Sequence, residues 1–259
     1  MIGVRPIAAF DDNYIWLLTR PGHPGCAVVD PGDEDPVIET LVAAGLRLDA
    51  VLVTHKHGDH VGGILGLKAR WPAARVYGPA GEPIAVLEER LHGGDRVELP
   101  GLGVAFEVLE VPGHTEGHIA YHGEGMLFCG DTLFAGGCGR VFSGTFEQLS
   151  DSLIRIGALP PETLVYCAHE YTLANLGFAA WVEPDSAALA ERTAVARAAR
   201  ARGEPTVPST VGLELATNPF MRTDRADVIA AASNWAGRPL DSRAEVFRAL
   251  RTWKDRDYD

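Results

Sequence analysis

The densest group of chemically active side chains in this sequence is the run THKHGDH. It places His55, His57 and His60 around Asp59. Neutral imidazole and carboxylate groups are good ligands for transition metals, and four of them are more than a single open site uses. The run therefore predicts half of a two-metal centre. A solvated loop with incidental histidines is the less favoured interpretation.

The ligands of this run lie between a predicted strand and a predicted helix. Ala50–Val53 is typical of a buried strand, and the chain from Val61 onward is typical of the helix after it. We expect an extended loop in which His55, His57 and Asp59 point to the same side. The glycines of the run, and the glycine pair after it, are expected to let the turn re-aim the remaining histidine.

A two-metal centre needs further ligands from other parts of the chain. Three candidates, His114, Asp131 and His169, each follow a predicted strand, and strand ends are where a layered protein gathers its site. Asp131 could bridge two cations through its two oxygens, which an imidazole cannot do. His118 lies four residues after His114, but glycines at both positions preceding these histidines disfavour a helical ligand pair. We therefore expect His118 to support the site rather than to bind metal.

The elements that must position these residues fall into two regions. As far as about Glu170, strand-like apolar runs alternate with turns and short helical pieces, which indicates sheets covered by helices. Near Pro184 the composition changes, and an Ala-, Arg- and Glu-rich helix is predicted over residues 185–202. We place the domain boundary earlier, near residue 172, with a first domain over residues 1–172 and a helical domain over residues 173–259.

The composition excludes several classes of protein. Of the 259 residues, 46% are hydrophobic and 22% are charged, and no apolar run reaches the ~20 residues of a membrane span. The net charge of −12 disfavours nucleic acid or an anionic membrane as partner. The four cysteines form no CxxC pair, so we expect buried free thiols. The N-terminal residues do not resemble a signal peptide, and we expect a cytoplasmic monomer.

Two basic residues of the last predicted helix could bind an anionic ligand. Arg251 and Lys254 are three residues apart, on neighbouring turns of one helix face, so they could jointly hold a carboxylate. On spacing alone, a solvated basic face of an amphipathic helix is the more common explanation.

Several segments resemble a known family. THKHGDH, PGHTEGH, GDTLF and CAHEY, in this order, resemble the hydrolase pattern of the metallo-β-lactamase superfamily. Within that superfamily, GCGRVFSGT, CAHEYTLANLGFA, PSTVGLELATNPFMR and LRTWKD resemble segments of the glyoxalase II family, the hydroxyacylglutathione hydrolases. The resemblance implies an α+β fold, a four-layer αββα sandwich with a di-metal site at one edge. It also implies a small helical C-terminal domain that completes the substrate site.

The resemblance implies roles for individual residues. One metal would be held by His55, His57 and His114, the other by Asp59, His60 and His169, with Asp131 bridging. Asp59 and Asp131 would carry the catalytic roles, Asp59 by orienting the nucleophile. The glycine carboxylate of glutathione would be held by Arg140, Tyr171, Arg251 and Lys254. The family often has a tyrosine where this chain has Phe142, which removes one hydroxyl donor.

The reaction implied is hydrolysis of S-(R)-lactoylglutathione to D-lactate and glutathione, the last step of methylglyoxal detoxification. Two divalent metal ions are expected, zinc first and iron or manganese next, because histidine and aspartate suit all three. Such ions lower the pKa of a bound water and polarise the carbonyl. The nearest alternative is a glutathione persulfide dioxygenase with a single iron, which typically lacks the helical domain. A non-catalytic binding protein on the same fold would show loss of ligands, and all seven are present.

Overall fold

The computed structural model describes residues 2–258, which form two compact units. The first unit runs up to Glu110 and then comprises Thr115–Gly130. The second comprises Val111–His114 and the chain from Asp131 onward. The boundary expected between residues 172 and 173 was drawn from sequence and stays a prediction.

A six-stranded sheet forms the first part of the first unit, and its strands follow the order of the chain. The first three strands pair antiparallel, and the third to the sixth pair parallel. Parallel neighbours need a crossover connection, which helices provide between the third and fourth strands and between the fourth and fifth. The strands are β1 (Gly3–Ala9), β2 (Asn13–Thr19), β3 (Gly25–Val29), β4 (Arg47–Leu52), β5 (Arg75–Pro79) and β6 (Glu89–Leu91), and the helices are α1 (Asp35–Ala44), α2 (Gly58–Val61) and α3 (Ile64–Arg70).

The core of this sheet lies under its helices. Val28 of β3 and Val51 of β4 are fully buried together with Val37 and Leu41 of α1 and Leu67 of α3. Burying a valine or leucine side chain contributes about 1.5–3 kcal/mol. This packing fixes the carboxyl ends of β3 and β4, and therefore also the positions of the residues that follow them.

Four more strands of the first unit form an antiparallel run. They are β7 (Arg96–Leu99), β8 (Val104–Glu110), β9 (Ile119–Gly123) and β10 (Met126–Gly130), each paired with the next. The β9 strand fixes the chain just after β4. The Tyr121 hydroxyl donates to the Val53 carbonyl at 2.8 Å, and the Ile119 amide donates to the Thr54 carbonyl at 3.0 Å. These bonds hold the backbone immediately before the first ligand histidine.

The second unit combines short strands with most of the helices. The Thr145 side chain and Gln148 form a reciprocal capping box at the start of the first of these helices. The strands are β11 (Leu133–Phe134), β12 (Gly137–Cys138), β13 (Leu164–Cys167) and β14 (Ser209–Thr210). The helices are α4 (Phe146–Gly157), α5 (Thr172–Val182), α6 (Ala187–Ala201), α7 (Val211–Thr217), α8 (Ala226–Ala236) and α9 (Arg243–Trp253), and a π-type turn, Lys254–Tyr258, continues α9.

A buried ion pair ties several of these elements together. The Arg192 guanidinium of α6 contacts the Glu214 carboxylate of α7, and both side chains are almost fully buried. Glu214 also accepts from the amide of Gly136, between β11 and β12, at 2.9 Å. Arg192 donates to the Ser209 hydroxyl of β14 at 3.1 Å. The pair therefore links helices of the C-terminal region to the β11–β12 hairpin.

Most sequence-based expectations for the elements are confirmed. The apolar runs are strands, and the helix expected over residues 185–202 is α6, with Ser186 as its N-cap. All four cysteines are buried thiols that form no disulfide within residues 2–258. Between residues 2 and 258, no helix has the length and apolar character needed to cross a bilayer. One expectation is wrong: the helix predicted from Val61 already begins at Gly58 as α2, and α3 follows after a break at the glycine pair.

Candidate metal centre

The first group of ligand side chains follows β4. His55 and His57 lie in the short segment between β4 and α2, whereas Asp59 and His60 lie within α2. The expectation of an extended chain through Asp59 is therefore wrong, because the helix begins one residue earlier, at Gly58. Helical geometry re-aims Asp59 and His60 together. The turn was predicted to re-aim His60 alone. In the structure it also re-aims Asp59.

The glycine pair after α2 is required by close packing. A Cβ atom on Gly62 would lie 2.6 Å from the Gly32 carbonyl oxygen, and one on Gly63 would lie 2.5 Å from the Glu34 amide nitrogen. Gly62 has an ordinary helical φ of −58°. The pair is therefore needed for the approach of this helical segment to the loop after β3, rather than for an unusual backbone conformation.

The orientation of His55 is set by the residue before it. The Thr54 hydroxyl donates to Asp30 Oδ2 at 2.7 Å, and its oxygen lies 3.1 Å from His55 Nδ1. Because the hydroxyl proton is used on Asp30, the oxygen accepts from Nδ1–H of His55. This tautomer makes Nε2 the nitrogen of His55 that could accept a metal ion.

Asp30 is a supporting residue that the sequence interpretation missed. It follows β3 directly, is buried, and has a φ of +53°, a conformation that aspartate tolerates better than most residues. Its carboxylate accepts from the Thr54 amide at 2.8 Å, and Oδ2 lies 3.1 Å from His60 Nδ1. One buried carboxylate therefore contacts Thr54, which orients His55, and also lies beside His60 itself. A polar residue directly after a predicted strand is the signal that would have found it.

Asp59 is held from the β1–β2 connection. The side-chain amide of Asn13, which is buried at the start of β2, donates to Asp59 Oδ2 at 3.0 Å. The same oxygen lies 3.4 Å from His60 Nε2. No local pattern in the sequence points to Asn13, because its partner is 46 residues away.

His55 is also packed by the neighbouring histidines. Its Nε2 lies 3.0 Å from His57 Nδ1, and its ring stacks on His118 with centroids 4.6 Å apart and planes at 19°. His118 is fully buried and lies in a non-helical segment, as expected from the glycines around it. The stacking agrees with the supporting role proposed for His118.

The second group of ligand side chains, His114, Asp131 and His169, follows β8, β10 and β13 respectively. All three are buried. Asp131 presents a different oxygen to each histidine: Oδ2 lies 3.5 Å from His114 Nε2, and Oδ1 lies 3.4 Å from His169 Nε2. A carboxylate with its two oxygens directed in this way has the geometry of a bridging ligand.

His114 is oriented by the backbone of the GCGR segment. Its Nδ1 donates to the Arg140 carbonyl at 2.8 Å, which leaves Nε2 to face Asp131. The Phe142 amide donates to the His114 carbonyl at 3.0 Å. The residue predicted to contribute its side chain, Arg140, thus supports a ligand through its main chain.

The seven side chains provide two sets of ligand atoms. Within each set, one nitrogen or oxygen atom of every member lies within 4.8 Å of the others. The sets are His55, His57, His114 and Asp131, and Asp59, His60 and His169. Five imidazoles and two carboxylates, most of them buried, form a donor set that fits divalent transition metals. This cluster is a candidate divalent-metal site.

The residues expected to bind the substrate carboxylate lie in the second unit. Arg251 is buried and donates to the Cys138 carbonyl at 3.1 Å and to Asp255 Oδ1 at 2.8 Å. The same oxygen of Asp255 lies 3.4 Å from Nε of Arg140, which is half exposed. Lys254 is also buried, with Nζ 5.5 Å from the Tyr258 ring centroid. These cations are therefore not a solvated helix face.

Tyr171 lies next to the last ligand. The Tyr171 ring stacks on that of His169, with centroids 4.7 Å apart and planes at 6°. The Phe134 ring meets the Tyr171 ring edge to face, with centroids 5.3 Å apart. Phe142 meets the His114 ring edge to face at 5.3 Å and is 65% exposed. A phenyl ring at this position therefore covers a ligand histidine from the solvent side and supplies no polar contact.

Two family models match the chain in succession. The metallo-beta-lactamase superfamily model matches residues 9–169, and the model of the hydroxyacylglutathione hydrolase C-terminus matches residues 170–257. A hydroxyacylglutathione hydrolase of Alkalilimnicola ehrlichii is 54% identical over 255 residues, which are 98% of this chain and 99% of the relative. One of Pseudomonas fluorescens is 52% identical over 257 residues, 99% of this chain and 100% of the relative. The chain belongs to the hydroxyacylglutathione hydrolase family.

Membership of this family identifies the chain as a thioester hydrolase, and the predicted family is confirmed. Solved structures agree on the fold. ETHE1 from Myxococcus xanthus aligns with a TM-score of 0.67 at 24% identity, over 96% of this chain and 89% of that one. TTHA1623 in a di-iron-bound form aligns with a TM-score of 0.59 at 27% identity, over 83% and 99%. The metallo-β-lactamase fold expected for this hydroxyacylglutathione hydrolase family member is thereby confirmed.

Proposed function

We propose that this chain hydrolyses S-(R)-lactoylglutathione to D-lactate and glutathione. The observation that carries the proposal is the arrangement of Asp131, whose two carboxylate oxygens face His114 and His169 respectively. A carboxylate placed in this way suits two metals held side by side, which is one of the arrangements that support metal-assisted hydrolysis. The names of relatives about half identical over nearly the whole chain support the same substrate class.

In the proposed site, each metal position takes one set of ligands. His55, His57 and His114 would hold one divalent ion, Asp59, His60 and His169 the other, and Asp131 both. Zinc is the first candidate, with iron and manganese next. When bound, such ions supply Lewis acidity that lowers the pKa of a water and polarises a thioester carbonyl.

The protein's own groups orient the reactants. Asp59, held by Asn13 at 3.0 Å, would direct the attacking oxygen by accepting one of its protons in a hydrogen bond. The Nδ1 atoms of His55 and His114 each donate to a fixed oxygen, so their rings cannot rotate without losing a hydrogen bond. The leaving group is a thiolate, which is stable near neutral pH and needs no strong general acid.

Substrate recognition would rest on the cationic group near the C-terminus. Arg251, Lys254 and Arg140 would bind the glycine carboxylate of glutathione, and Tyr171 would contribute its hydroxyl. A protein with a net charge of −12 needs a local cluster of this kind to attract an anionic substrate. Two arginines already share the Asp255 carboxylate, at 2.8 and 3.4 Å, which supports the ability of this group to bind a carboxylate.

The experiment that tests the proposal measures thioester loss and metal content on the same purified sample. We expect fast hydrolysis of S-(R)-lactoylglutathione with about two metal ions per chain. Oxygen uptake on glutathione persulfide, with one iron and no thioester loss, would support the dioxygenase instead. The presence of a matched C-terminal region over residues 170–257 and the names of the relatives favour the hydrolase. The cytoplasmic location and the monomeric state expected from the sequence stay predictions.

A further inference from the structure

A buried carboxylate outside the ligand set joins two of the segments that carry ligands. Glu82 lies in the turn after β5, and its side chain is 1% exposed. Acidic side chains are almost never fully buried unless they are paired. The position of Glu82 is therefore maintained by the groups around it, and those groups belong to two different loops.

The first oxygen of Glu82 binds the loop after His114. Oε1 accepts from the Thr115 hydroxyl at 2.5 Å and from the Gly117 amide at 3.0 Å. Thr115 is fully buried and is the residue directly after His114. Two donors on one carboxylate oxygen fix the position of this loop relative to the turn that carries Glu82.

The second oxygen of Glu82 faces the loop after β4. Oε2 is buried and lies 3.4 Å from Nζ of Lys56, the residue between His55 and His57. The Lys56 side chain is about one-third exposed, whereas that of Glu82 is buried. The carboxylate thus keeps a compensating charge within reach on the segment that carries two ligand histidines.

The backbone at this junction leaves no space for adjustment. A Cβ atom on Gly117 would lie 2.8 Å from both the carbonyl carbon and the oxygen of Gly81. The loop after His114 therefore packs directly against the turn that carries Glu82. A side chain at Gly117 would push the two segments apart.

We propose that Glu82 is a positioning residue for the metal centre, and that it sets the spacing between the His55–His57 segment and the residue that follows His114. The inference rests on the proposed function, because those three histidines are the ligands assigned to one metal. Groups that orient metal ligands typically change metal affinity 10- to 100-fold when they are removed. Glu82 therefore governs how firmly the first metal is held.

The experiment compares Glu82→Ala and Glu82→Gln with the wild-type protein loaded with zinc. Glu82→Ala removes all contacts with Lys56, Thr115 and Gly117, whereas Glu82→Gln keeps an acceptor oxygen and loses the charge. We expect the rate of zinc release to a chromogenic chelator to rise about 10- to 100-fold in Glu82→Ala and by less in Glu82→Gln. Thr115→Val removes one donor to the Glu82 carboxylate, and its zinc release rate should be similar to that of Glu82→Gln. This variant still tests the proposal if Glu82→Ala fails to fold.

The matched control is Glu183→Gln. Glu183 is also buried and forms an ion pair with Arg222, with hydrogen bonds of 2.8 and 2.9 Å, and it is not part of the junction. Its variant should lower the thermal midpoint without changing zinc release. If the role of Glu82 were purely structural, its variants would also have a lower thermal midpoint and unchanged zinc release. Zinc release rates within twofold of wild type in the Glu82 variants would therefore overturn the inference. Failure of the proposed function is distinguishable, because the wild-type protein would then show no thioester hydrolysis, whereas failure of this inference would leave the zinc release rates of the Glu82 variants unchanged.

Discussion

The hydrogen bond between Asn13 and Asp59 allows a quantitative test of how Asp59 acts. Replacing Asn13 with alanine removes a donor 3.0 Å from Asp59 Oδ2. A hydrogen bond to a charged group contributes about 1.5–3 kcal/mol. If the whole of this is needed to orient Asp59 in the transition state, kcat should fall about 10- to 150-fold. KM should change little, because Asn13 acts on Asp59 and the glutathione carboxylate is assigned to other residues.

Asn13→Asp should be worse than alanine at the same position. It places a second carboxylate beside Asp59, and two like charges 3 Å apart repel by up to about 5 kcal/mol at an effective dielectric constant of 20. Either Asp59 or the new aspartate would then bind a proton near neutral pH. Asn13→Asp is therefore expected to lose more activity than Asn13→Ala and to recover part of it as the pH is lowered.

The assay is steady-state hydrolysis of S-(R)-lactoylglutathione, with the metal content and thermal midpoint measured on each sample. Gln148→Ala is a suitable control, because it also removes one side-chain amide contact, at the α4 capping box. Its effect should be confined to stability. Wild-type kcat in Asn13→Ala with full metal content would refute the orienting role of Asp59. A rise in KM alone would place Asn13 in substrate binding instead.

Three further predictions concern substrate binding, the helical region and the thiols. Arg251→Met should raise KM about 10- to 150-fold with a smaller change in kcat, and the effect should vanish for a substrate with an esterified glycine carboxylate. Glu214→Gln should lower the free energy of unfolding by about 3–5 kcal/mol in urea titrations, because the Arg192 charge stays buried without its partner. Burial raises the pKa of Cys138 to about 11 and that of Cys167 to about 12. Both thiols stay protonated in the folded protein, whereas in the unfolded chain they ionise at about pH 9 and above. The free energy of unfolding should therefore be constant below about pH 9. Above that pH it should fall by up to about 1.4 kcal/mol per pH unit for each thiol. Denaturant midpoints between pH 8 and 10.5 check this, and an unchanged slope in Cys167→Ala would contradict it.

The candidate ligands could be selected from the sequence because each follows a short apolar run bounded by turn residues. β10 is buried throughout, and β4 and β13 are buried over their last three residues, so each sequence is apolar up to the end of the strand and the first polar residues beyond it mark that end. β1 was not predicted, because Pro6 interrupts its pattern. Proline is tolerated there because β1 lies at the edge of its sheet.

The C-terminal region was predictable in its helices but not in the environment of its charges. The cap at Ser242 and the apolar residues of α9 identify the helix from sequence. Its pattern indicates that Arg251 is solvated, since basic residues usually lie on the exposed face. In the structure Arg251 is buried because the Cys138 carbonyl, 113 residues away, accepts one of its hydrogen bonds. A hydrogen-bond partner so far away in the sequence produces no periodic pattern from which it could be predicted.

The residues that orient the candidate ligands are also far from them in the sequence. This separation explains why a ligand motif indicates the chemistry of a site better than its affinity for metal. Asp30 supports Thr54 across 24 residues, Asn13 reaches Asp59 across 46, and Glu82 reaches Thr115 across 33. Each comes from a different connection of the fold. In the proposed site, the His-x-His-x-Asp-His run would supply atoms that bind metal, whereas the tightness of binding would depend on the residues that position the run. A variant that keeps every candidate ligand and loses the Asp30 or the Glu82 carboxylate should keep the reaction and bind its metals less firmly.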